Sequence, residues 1–100
     1  MKTVMYNEKS IIIEEEKKKF FSRKIKKVRI EIELHNINEI CREEYQGLLN
    51  AIVIFYGDNQ EERLLNEEYM NLEKLYRFLL EQNELGKRMK ITTLDLEKIL

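Results

Sequence analysis

The chain has 100 residues, 18 of them Lys or Arg against 19 Asp or Glu, a formal net charge of −1, and 43% hydrophobic residues. These values suit one domain over residues 1–100 with a modest core, globular in character but highly charged, and they argue against a generally basic nucleic-acid coat. A local basic patch is still compatible with that balance. The single cysteine, Cys41, excludes an internal disulfide and fits a reducing compartment. The start, MKTVMYNEKS, lacks the apolar run of a signal peptide, and the longest apolar run, Ala51–Tyr56, is too short to span a bilayer. The expected location is therefore cytoplasmic, with no membrane partner. Lys, Glu, Ile and Asn dominate and Ala occurs once, a skew that AT-rich codons produce, as in a low-GC bacterium or its phages and plasmids.

Thr3–Tyr6 and Ser10–Ile13 are rich in β-formers around Asn7-Glu8-Lys9, which predicts an N-terminal hairpin, although Asn-Glu lacks the glycine of the tightest turns. Glu14–Lys19 is a charge run. Its Glu-to-Lys spacings suit a solvated turn of helix; the alternative is that the second strand runs on and carries its charges along an edge. Lys17–Arg29 holds eight basic residues and no acid. From Val28 the pattern is strict: Val28, Ile30, Ile32 and Leu34 face one way, Arg29, Glu31, Glu33 and His35 the other, the period of a half-buried strand.

Asn36, with Glu39 three residues on, has the form of a capping box. Ile37, Ile40, Cys41, Tyr45 and Leu48 come next at near-helical spacing, so a helix is expected here, ended by Gly47, with Cys41 as a small buried hydrophobe. Ala51–Tyr56 reads as the central strand. Two readings compete for Gly57–Leu65. Asp58 caps a long helix with Glu61 at its third position, or Gly57–Gln60 is a hairpin turn and Glu61–Leu65 a return strand; the hairpin is favoured. After Asn66, a second cap, the stripe Tyr69, Leu72, Leu75, Tyr76 and Leu79 predicts a helix over Glu67–Asn83, with Gly86 as its stop. Met89 and Ile91 lead into a short strand, and Thr93–Leu100 either continues it or forms a last helical turn. The expected fold is α+β: a small antiparallel or mixed sheet of about five to six strands, in the order β-β-β-α-β-β-α-β, with two helices packed on one face.

Little in the chain points to catalysis. One histidine and one cysteine cannot form a recognisable zinc site, Ser10 and Ser22 sit in no nucleophile elbow, and the three glycines are isolated. No catalytic residue, metal or cofactor is expected, and the chain reads as a non-enzymatic binding protein. Lys17, Lys18, Lys19, Arg23, Lys24, Lys26, Lys27 and Arg29, with Phe20 and Phe21 among them, form a candidate site for an anionic ligand, nucleic acid or nucleotide. Lys87, Arg88 and Lys90 are a second cluster that can join it. Residues 30–86 carry thirteen acids against four bases, so the molecule is electrically polarised. The bland counterpart is that Phe20 and Phe21 are core and the lysines merely solvated.

A second reading is a small inhibitor of the phage anti-defence kind, docking on a basic groove of a larger host enzyme with Glu61, Glu62, Glu67 and Glu68 imitating phosphates. A third property concerns assembly. Paired antiparallel with its own copy about Ile30, the strand sets Lys27 against Glu33, Arg29 against Glu31 and Val28 against Ile32, so Lys27, Val28, Arg29, Ile30, Glu31, Ile32 and Glu33 form a self-complementary homodimer seam. The alternative is that the strand lies inside its own sheet and its charges pair with neighbours. A dimer built this way is expected to bring two basic segments together across one axis.

Overall fold

The computed structural model describes residues 2–18 and 25–94. It is a mixed α+β fold in which the strands form two sheets rather than one. Strands β1 (Lys2–Tyr6), β2 (Ser10–Lys18) and β3 (Ile25–Glu33) make an antiparallel sheet in the order β1-β2-β3. The β1–β2 turn needs no glycine because the Asn7 side chain takes its place: its Oδ1 accepts from the backbone N–H groups of Lys9 and Ser10 at 2.7 and 2.9 Å. The described part of the charge run, residues 14–18, is strand, not helix, and Glu14 and Glu15 lie between β1 and β3.

After β3 a short 3-10 turn, Leu34–Asn36, redirects the chain, and β4 (Ile37–Tyr45) opens a second sheet with β5 (Leu48–Tyr56) and β6 (Gln60–Leu65). The three form an antiparallel meander, and β7 (Met89–Thr93) adds parallel to β4, giving the order β6-β5-β4-β7. The helix expected after Asn36 is therefore β4, and the reason is local. Ile37 pairs with Tyr56 but Glu39 with Phe55, so Asn38 is an extra residue, a β-bulge. The bulge turns Ile37 and Ile40, three residues apart, onto the same buried face, which in the sequence imitates helical spacing. Gln46 and Gly47, with φ of 51° and 79°, make the two-residue turn into β5 instead of ending a helix. The favoured hairpin reading of Gly57–Leu65 agrees with the structure.

The long helix starts later than the stripe predicts: α1 spans Leu72–Leu80, and α2 is a single turn, Asn83–Gly86. Tyr69 is buried from the turn that precedes α1, so its apolar spacing belongs to the core but not to the helix. One core joins both sheets and α1. Ile11, Ile13 and Ile32 come from the first sheet, Ile40, Ile52, Ile54 and Leu64 from the second, and Leu72, Leu75 and Leu79 from the helix. Tyr6 stacks on Phe78 with ring centroids 4.6 Å apart, tying β1 to α1. Of Thr93–Leu100, Thr93 ends β7, the Leu94 N–H donates to the Glu44 carbonyl at 2.7 Å, and the rest lies outside the described residues. Among the described residues no helix is long and apolar enough to cross a membrane.

Candidate anion-binding site

The basic segment spans the distal part of the β2–β3 hairpin. Among the described residues β1 accompanies β2 as far as the Lys2–Glu15 pair. Beyond it Lys17 and Lys18 pair with β3, in register with Lys26 and Ile25. The hairpin thus narrows to a two-stranded ribbon where the basic residues concentrate. Lys26 and Lys27 are exposed on it, and Arg29 is exposed just before the narrowing, opposite Glu14. Part of their charge is answered from β2: Lys27 Nζ lies 3.7 Å from Glu16 and Arg29 Nε 3.9 Å from Glu14. At these separations and exposures such pairs hold the side chains only loosely. Lys19, Phe20, Phe21, Arg23 and Lys24 lie outside the described residues, and with them the question of whether the two phenylalanines are core.

The second basic cluster sits at the other end. Arg88 lines a cleft of about 690 Å³ with Leu34, His35 and Glu33, the end of β3 farthest from Lys26. A nine-residue strand spans about 26 Å, so Arg88 does not extend the basic patch. Its cluster is also engaged locally. Arg88 Nη1 donates to the Ile37 carbonyl at 3.1 Å, Lys87 lies 3.8 Å from Glu84, and Lys90 lies 2.6 Å from Glu39. The hydrogen bond to Glu39 holds the Lys90 pKa above its ordinary value. The same cleft contains Glu8, Glu31, Glu33 and Glu84; Ser10 Oγ donates to Glu31 at 3.0 Å, and His35, exposed at the strand end, meets Glu33 at 3.0 Å.

The acids considered as phosphate mimics do not form one surface. Glu61 and Glu62 are neighbours on β6 and so point to opposite faces of the sheet. Tyr56 Oη approaches Glu62 at 3.4 Å, and Glu68 is engaged by Lys2 at 2.6 Å. Among the described residues, no group of three or more His, Cys, Asp or Glu side chains is placed to hold a metal ion.

The most built polar arrangement is one that periodicity hides. Arg42 is 8% exposed on the inner face of β4. Its Nη1 and Nη2 donate to the two carboxylate oxygens of Glu73 at 3.0 and 2.8 Å, its Nε donates to Glu44 at 2.8 Å, and its guanidinium lies 4.6 Å from the centre of the Tyr76 ring. The fork matches a carboxylate bidentately and clasps the first turn of α1 to β4. The bonded guanidinium holds the Glu73 carboxyl below the ordinary carboxylate range. On a helix Arg42 would be one more solvated charge; its burial comes from the strand phase that the Asn38 bulge sets. Each nitrogen of the Arg42 guanidinium is bonded to a carboxylate, which gives the cluster a structural role.

Comparison with protein-family models, curated proteins and solved structures finds no match to this chain.

Proposed function

We propose that this is a non-enzymatic binding protein that takes an anionic ligand through segment 17–29, and that a nucleic-acid strand suits the site better than a free nucleotide. The observation that carries the reading is the concentration of basic residues on a ribbon two strands wide, projecting past the edge of β1. A polyanion can lie along such a ribbon and gain from counterion release at each phosphate. A mononucleotide needs a concave pocket with converging donors, and Lys26, Lys27 and Arg29 line none of the clefts beside Arg88, Asp58, Asn66 or Met70.

Titration of a fluorescent oligonucleotide with the full chain tests the proposal. Binding is expected to weaken with a log–log salt slope of about −0.7 per phosphate engaged on a single strand. The Lys24→Glu/Lys26→Glu/Lys27→Glu variant is expected to lose it. Absence of binding to DNA and RNA at low salt refutes the reading. Equal binding of a mononucleotide transfers it to a small ligand.

A further inference from the structure

We infer that the open edge of β3 pairs with the β3 edge of a second copy, in the register centred on Ile30, to make one continuous six-stranded sheet. The backbone phase decides whether that register is available. In an antiparallel pair, alternate residues of a strand direct both their N–H and C=O to the same neighbour. The Leu34 N–H donates to the Lys9 carbonyl at 2.8 Å, which assigns the even-numbered residues of β3 to β2. The β1 side agrees: the Asn7 N–H donates to the Ser10 carbonyl at 3.0 Å, so even residues of β2 bond β1 and odd ones bond β3, opposite even residues of β3. Lys27, Arg29, Glu31 and Glu33 therefore direct their backbone groups to the outer edge, where no strand lies among the described residues.

Pairing about Ile30 opposes residues whose numbers sum to 60. It matches Arg29 with Glu31 and Lys27 with Glu33, all odd, so the residues with free backbone groups face one another as hydrogen-bonded pairs. Ile30 meets Ile30 and Val28 meets Ile32 as the closer, non-hydrogen-bonded pairs, where apolar side chains gain most. A register shifted by one residue loses both matches. Val28 and Ile30 are only partly buried within one chain, which fits an edge that a second strand covers. The other sheet edges, β1, β6 and β7, lack this alternation of opposite charges.

The geometry also reverses the expectation that a dimer merges the two basic segments. Antiparallel pairing sends them in opposite directions, with Lys26 of the two copies about 27 Å apart along the strands at roughly 3.4 Å per residue. Each basic end then lies opposite Leu34 of the other copy, beside the cleft that holds Glu33. The pairing does not depend on anion binding, and a failure of either leaves the other standing.

Sedimentation equilibrium of the full chain at low micromolar concentration is the test. The wild type is expected at twice the 12.2 kDa chain mass. Glu31→Lys/Glu33→Lys and Lys27→Glu/Arg29→Glu are each expected as monomers, and an equimolar mixture of the two as a heterodimer. Arg29→Pro removes the outward N–H together with the exposed Arg29 side chain but no hydrogen bond to β2, and is expected to be monomeric with the circular dichroism of the wild type. A monomeric wild type, charge variants that stay dimeric, a mixture that does not pair, or an Arg29→Pro chain that fails to fold would each overturn the inference.

Discussion

Replacing Arg42 with alanine is expected to loosen the attachment of α1 to the second sheet. The guanidinium is nearly buried, whereas its partners are not: the Glu44 side chain is 22% exposed and that of Glu73 49%. Removing one member of a fully buried ion pair costs about 3–5 kcal/mol, because the other charge is stranded. Here Glu73 can turn to water, so most of its share is recovered. The deleted stem also leaves a gap beside Ile52, its partner on β5. Together these give a loss of about 2–3 kcal/mol, a large share of the roughly 5–15 kcal/mol typical of a domain. Urea unfolding followed by circular dichroism reads this as a lower midpoint with an unchanged slope. Arg42→Met, which restores the packed volume without the charge, is expected to lose only about 1 kcal/mol. A cycle with Glu73→Gln should return a coupling energy of about 1 kcal/mol. An Arg42→Ala protein within about 0.5 kcal/mol of wild type would show that the clasp contributes nothing and would refute this account.

The same core sets two further outcomes. A Cβ on Gly86 meets the Leu80 carbonyl oxygen at 2.7 Å, a backbone atom that cannot swing aside, so Gly86→Ala is expected to destabilise by about 1–3 kcal/mol in the same assay. Glu73 has a folded pKa depressed below its ordinary 4.5 by the hydrogen bonds from Arg42, so its contribution is present above the unfolded pKa and is lost as pH falls through the folded value. The stability gap between wild type and Glu73→Gln should therefore be open near neutrality and close in acid. With the carboxyl half exposed, the gap is below about 1 kcal/mol.

Local pattern was sufficient wherever a strand carries one signal along its whole length. The alternation of Val28–Leu34 specifies β3, the apolar run Ala51–Tyr56 specifies β5, and the turn residues after Tyr56 favour the return strand β6 over a long helix. The basic character of residues 17–29 and the self-complementary charges of β3 are likewise properties of the chain read alone. Tertiary structure decided the remainder. The Asn38 bulge gave β4 the spacing of a helix, because two buried residues on either side of an inserted one stand three apart, as they do on a helical face. Tyr69 prolonged the apparent helix backward because burial, which periodicity reports, is shared by turn and helix alike. The division into two sheets rests on the turn at Leu34–Asn36, and it leaves β3 at an edge with the backbone groups of Lys27, Arg29, Glu31 and Glu33 directed outward. That phase is a relation between separate strands, not a property of β3 alone. The residues of β3 supply the complementary charges, but only the strands packed around it determine which edge is open to meet a second copy.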